Sequence, residues 1–127
     1  MVLAANDSLK INIDNYSGPL EVLLDLAKLQ KVDLANISIT QLADQFIEFI
    51  NKSEKINLEL ASEYLLMATW LTYLKSKLLL PENEEDNFKA SEVAEKLKLQ
   101  LKKLELIKKS LLKKILNHLK YVNHFLL

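Results

Sequence analysis

Residues 58–80 read LELASEYLLMATWLTYLKSKLLL, with Asn57 before them and Pro81 after them. Asn57 has the short polar side chain that caps a helix N-terminus, and Pro81 cannot continue a helix. The stretch is therefore predicted to be one helix, Leu58–Leu80. Leu58, Ala61, Leu65, Ala68 and Thr72 recur along one side of it. Tyr64, Met67, Leu71, Leu74 and Leu78 recur along another, and Leu66, Trp70 and Tyr73 widen the apolar surface. A helix that is apolar nearly all round must be buried nearly all round. Two short helices cannot cover it, so the chain is expected either to self-associate or to dock this helix on another protein.

The sequence on either side supplies those shorter helices. Upstream, Ile37-Ser38-Ile39-Thr40-Gln41-Leu42 carries a capping box, Ser38 with Gln41, and a hydrophobic staple, Ile37 with Leu42. Ile39, Leu42, Phe46, Phe49 and Ile50 then make one apolar stripe, and Asn51–Lys55 is a polar turn. Before that, Ser17-Gly18-Pro19 opens a first helix with Glu21 in its first turn. Leu20, Leu23, Leu24 and Ala27 give its apolar face. The expected core is Leu20, Leu23, Leu24, Ala27, Leu42, Phe46, Phe49, Leu65 and Ala68. Leu9, Ile11 and Ile13 alternate with polar residues, a possible strand-like arm.

Downstream, Glu82–Asp86 reads as a flexible acidic linker. Ser91 can cap a fourth helix in which Val93, Leu97, Leu101, Leu104, Ile107, Leu111, Ile115, Leu119 and Val122 keep 3–4 spacing. The organisation expected is all-α. An arm over 1–16 leads to a three-helix domain over 17–81. An acidic linker over 82–90 and a long basic amphipathic helix over 91–127 follow.

Composition supports helices and excludes several chemistries. The 127 residues contain one Gly and two Pro, too few turn residues for a β-rich fold. There is no Cys, hence no disulfide scaffold, thiolate nucleophile or cysteine-held metal. His118 and His124 are six apart, which does not bring two imidazoles onto one helix face for a metal. A single Gly rules out a Gly-rich phosphate loop. No catalytic constellation, cofactor site or metal site is expected, and the chain is not read as an enzyme. The longest run without charge, Tyr64–Leu74, is far shorter than the roughly 20 residues of a membrane span. With no targeting segment at Met1–Ala5 either, a cytoplasmic protein is expected.

The formal net charge is zero, but it is the sum of unlike halves. Residues 1–95 hold 8 Lys against 16 Asp and Glu, a net of −8. Residues 96–127 hold 9 Lys against Glu105 alone, a net of +8. There is no Arg, whose bidentate contact with guanine is the commonest specific base contact. The basic helix reads first as a solvated helix packing one Leu stripe on a partner. The alternative is nonspecific binding to nucleic acid or to a membrane surface.

Four blocks in order resemble a known family. They are Ser17-Gly18-Pro19-Leu20-Glu21-Val22-Leu23-Leu24, Lys31-Val32-Asp33-Leu34, Ile37 through Phe46, and Leu58 through Ala68, closing on Leu74-Lys75-Ser76-Lys77-Leu78-Leu79-Leu80-Pro81. From about Leu9 to Ser110 the chain resembles segregation and condensation protein A, the bacterial kleisin. The resemblance implies a non-enzymatic scaffold that bridges an Smc ATPase dimer and recruits a dimer of segregation and condensation protein B. Such a protein acts in chromosome condensation and segregation. It would reach DNA only through the complex, associate with the nucleoid, and have no membrane partner. It also implies that the third helix packs on the coiled-coil neck of Smc. The face assigned to that contact is Tyr64, Met67, Leu71, Leu74 and Leu78, with Lys75 at its rim. On that assignment Leu71→Glu would abolish neck binding and leave helicity intact. The B partner is expected on about Ser91–Ser110, at Leu97, Leu101, Leu104 and Ile107.

The chain departs from the family pattern in three ways. Glu21 stands where Asp is usual. Leu111–Leu127 has no Gly and no Arg where a Gly-Arg-Asp stretch is usual. The C-terminal winged-helix domain that caps the second Smc head is absent from these 127 residues. A truncated or frameshifted form is therefore expected.

Overall fold

The structure is a computed structural model that describes residues 18–53 and 58–126, with side-chain surroundings over 18–53 and 62–124. The arm at Leu9–Ile13 and the Asn57 cap lie outside the described residues. Among the described residues four α-helices follow one another: α1 Pro19–Gln30, α2 Ile39–Lys52, α3 Leu58–Leu79 and α4 Glu84–Leu126, with a 3₁₀ turn, Leu34–Asn36, between α1 and α2. No strand occurs among the described residues, so the fold is all-α.

The helix starts follow from local chemistry. Pro19 occupies the first turn of α1, where its missing N–H leaves nothing unsatisfied, and Glu21 sits near the positive end of the helix dipole. Asp33 Oδ1 accepts from Ala35 N (3.1 Å) and opens the 3₁₀ turn. Ser38 Oγ accepts from Gln41 N (3.1 Å), the first half of the predicted capping box. The second half is made by another residue. Ser38 N donates to Gln30 Oε1 (2.8 Å), not to Gln41. Gln30 also donates to Gln45 Oε1 (2.7 Å), and Gln45 donates to Leu26 O (3.2 Å). These bonds join the C-terminal end of α1 to α2.

The expected linker is largely helix. α4 begins at Glu84, seven residues before Ser91. Asn83 Oδ1 accepts from Asp86 N (2.8 Å) and caps it. Glu84, Glu85 and Asp86 lie in the first turn, where the dipole stabilises carboxylates. The acidic run is thus a helix start, and α4 is one helix of 43 residues.

One core joins all four helices. Leu23, Leu24 and Ala27 of α1 meet Leu42, Phe46 and Phe49 of α2, as predicted. The Phe46 ring stacks on Tyr64 of α3 with centroids 6.0 Å apart and planes 4° from parallel. Ala90, Ala94, Leu97 and Leu101 of α4 close the other side of the core. The first half of the basic helix is therefore a core element. α4 packs on α1, α3 and the 3₁₀ turn.

The inward side of α3 is the reverse of the one predicted. Leu65 is 56% exposed and Ala68 only partly buried, whereas Tyr64 is 1% and Leu71 0% exposed. The physical reason is partnership: Tyr64 stacks on the Phe46 ring, and Leu71 and Leu74 join the cluster that α1, α2 and α4 contribute to. Leu20, also assigned to the core, packs against it from a partly buried position.

Candidate docking surfaces

Turning Tyr64, Leu71 and Leu74 inward leaves Leu65, Leu66, Trp70 and Tyr73 on the outer side of α3, all exposed. Thr69 and Thr72 share this side, and their hydroxyls donate to the helix's own carbonyls, Leu65 O (2.9 Å) and Ala68 O (2.8 Å). Those hydroxyls are satisfied internally, so this side is more apolar than its composition suggests. Large exposed apolar side chains gathered on one helix face mark an interaction surface.

Two grooves border this face, and Trp70 lines both. One, of ≈ 170 Å³, runs between α3 and the start of α4, with Tyr73, Lys77, Asp86 and Val93 in its walls. The other, of ≈ 460 Å³, is lined by Leu20, Glu63, Leu66, Met67 and Leu97 among others. Lys77 bonds Asp86 Oδ2 (3.3 Å) and lies 5.7 Å from the centroid of the Tyr73 ring. The hydrogen bond to Asp86 is the main reason the Lys77 ammonium holds its proton above the usual lysine range.

The residues assigned to the Smc neck do not form a free surface. Tyr64, Leu71 and Leu74 are core residues, and Met67 and Leu78 pack against the core. Lys75 reaches back to Asp44 of α2 (2.6 Å). The residues assigned to the B partner divide likewise. Leu97 and Leu101 are buried, Leu104 packs on the core, and only Ile107 is exposed. Both corrections have one cause. Periodicity identifies an apolar stripe but not what covers it, and here the intramolecular core does. Trp70, Leu66 and Tyr73 were visible in the sequence as extra apolar residues, and Thr69 and Thr72 beside them mark the side that faces out.

α4 leaves the body at a double clasp. Lys28 of α1 pairs with Glu105 (3.5 Å), and Lys108 with Glu21 at the start of α1 (3.7 Å). Beyond it Leu111, Leu112, Ile115, Leu116 and Leu119 are all exposed. Among the described residues, no helix is long and apolar enough to cross a membrane. Among the described residues, no group of three or more His, Cys, Asp and Glu could hold a metal ion.

The family model described as segregation and condensation protein ScpA matches residues 26–123. That match runs past Ser110, where the resemblance was expected to end. Three curated relatives, each called segregation and condensation protein A, show the same likeness. The protein of Mycoplasma mobile is 45% identical over 82 residues, covering 63% of this chain and 33% of the relative. That of Clostridium acetobutylicum is 40% identical over 79 residues, 62% of this chain and 32% of the relative. That of Halothermothrix orenii is 40% identical over 78 residues, 61% and 32%. The matched part spans about a third of the length of these relatives. No solved structure matches the chain. Because the family match begins in the last turns of α1 and takes in nearly all that follows it, the chain belongs to the segregation and condensation protein A family.

Proposed function

We infer that this chain is a non-enzymatic scaffold subunit acting in chromosome condensation and segregation. In this reading the outer side of α3, Leu65, Leu66, Trp70 and Tyr73, docks on the coiled-coil neck of Smc. The observation that carries it is the exposure of these four large side chains on a helix whose other side is already filled. A coiled-coil neck offers the complementary surface, a helix pair whose ridges and grooves accept a third helix at 8–10 Å. The B partner takes the outward side of α4 beside the body, where Leu99, Leu106 and Ile107 are exposed among lysines. DNA is reached through the complex, and nucleoid association follows from that.

The nucleic-acid reading has less support. Several lysines of the basic half already have carboxylate partners: Lys96 with Glu92, Lys98 with Glu95, Lys108 with Glu21 and Lys109 with Glu105. The experiment is a titration of the chain with the isolated head and neck of Smc at two salt concentrations. Leu66→Glu with Tyr73→Glu should weaken binding at least a hundredfold, with little dependence on salt for the parent chain. Unchanged affinity of that variant would overturn the reading. Binding to duplex DNA alone that falls steeply with salt would favour the nucleic-acid alternative.

A further inference from the structure

The stripe of α4 that enters the core does not stop where the body stops. Ala90, Ala94, Leu97 and Leu101 lie within about 40° of one direction around the helix, and so do Leu112, Ile115, Leu119 and Val122. The first four are buried in the core. In the second set Leu112, Ile115 and Leu119 are exposed, as are their neighbours Leu111 and Leu116. A lone helix half covered in Leu and Ile is marginal in water and draws its stability from whatever covers that face.

The geometry points to a second copy of this chain as the cover. We assign residues 109–125 to an antiparallel pair with the same residues of the second copy, about a two-fold axis at residue 117.

The spacing is self-complementary. Leu112, Ile115, Leu119 and Val122 are separated by 3, 4 and 3 residues, the seam of a helix pair. Reversed about 117 the set maps onto itself, so Leu112 meets Val122 of the copy and Ile115 meets Leu119. An isologous interface requires such a pattern.

Charge permits this pairing. Lys113, Lys114 and Lys120 lie about 120° or more from the seam, so they face solvent in the pair. Lys108, which falls on the stripe, is paired with Glu21 at the clasp. Residues 106–127 contain no acidic side chain, so none is buried by the contact.

Shape argues against a lipid surface. The body packs on the same side of α4 as the stripe, so it stands beyond that face by roughly the 8–10 Å between packed helix axes, or more. A flat lipid surface would strike the body before reaching Ile115. A helix from a second copy fits beside the body, and 17 residues give a contact about 26 Å long. The pair would bury on the order of 1,200 Å², the lower end for a specific interface. The dimer is therefore expected to be weak.

The test uses the full chain, whose lack of cysteine permits site-specific thiols. Sedimentation from 1 to 100 µM should show the mass rising toward two chains. Ile115→Glu with Leu119→Glu should return it to one chain and leave the thermal melt followed by Trp70 fluorescence in place. Ile115→Cys and Leu119→Cys chains should form a disulfide dimer on mixing and oxidation, and much less with either alone. Facing seam positions approach disulfide range only in the antiparallel register. A single-chain mass at 100 µM would overturn the proposal, including the case where the chain then sediments with vesicles containing phosphatidylglycerol. Efficient crosslinking of Ile115→Cys to itself would overturn it too, because that indicates a parallel pair. So would a dimer that survives the double Glu variant and is lost in Leu66→Glu.

Discussion

Leu71→Ala distinguishes the two possible orientations of α3. Leu71 is 0% exposed and sits in the core formed by all four helices. Truncation to Ala removes about three carbon groups from that site, roughly 2.4 kcal/mol of transfer free energy at ~0.8 kcal/mol each. The cavity left behind adds to this, and buried Leu→Ala changes cost about 2–5 kcal/mol. Leu65→Ala on the outer side removes the same atoms from a side chain that is 56% exposed. Its cost should stay within about 0.5–1 kcal/mol. Against a total stability of about 5–15 kcal/mol, the first change is severe and the second slight. In thermal unfolding followed by circular dichroism, Leu71→Ala should lower Tm by about 10 °C or more and Leu65→Ala by about 4 °C or less. Leu71→Glu should unfold the domain outright, because it buries a carboxylate with no partner. Equal Tm shifts for the two Ala variants, or a well-folded Leu71→Glu chain, would refute this orientation of α3.

Three further outcomes follow from named contacts. Gln30→Ala removes the acceptor for Ser38 N and the bond to Gln45, so urea unfolding should show a loss of about 1–2 kcal/mol, larger than for a typical surface Gln. Ser38→Ala removes the α2 cap and should cost about 1 kcal/mol in the same assay. The Lys77 pKa is raised in the fold, so its contribution is fully present below the unfolded lysine value near 10.5 and is lost as pH rises through the folded value. The difference in urea midpoint between the parent chain and Asp86→Asn should therefore be constant well below the ordinary lysine range and shrink as pH rises through the folded value. A difference that grows with pH would contradict the assignment.

Local chemistry was legible at most helix ends. Pro19, the Ser38–Gln41 bond and the stop at Pro81 follow from side chains within a few residues of each other. The exceptions are instructive. The Ser38 N–H could reach either Gln41 or Gln30, and the latter is eight residues away on another helix. Glu82–Asp86 reads as a solvated linker until Asn83 is seen capping a helix that already has a surface to pack on. Whether a short acidic stretch coils or extends a helix depends on the tertiary contacts that follow it, here Ala90 and Ala94 against the core.

By itself the sequence determined the all-α class, where α1 to α3 begin, the family and the unusual double-sided character of α3. These depend on spacing and composition, which are properties of the chain. The tertiary structure decided which side of α3 is inside, because both sides carry large apolar residues and only the partners supplied by α1, α2 and α4 distinguish them. It also decided that Leu97 and Leu101 complete the core while Leu112, Ile115 and Leu119, of the same residue types in the same spacing, stay outside. A stripe cannot record where the body ends. That boundary is set at Glu105 and Lys108, where α4 pairs with Lys28 and Glu21 of α1.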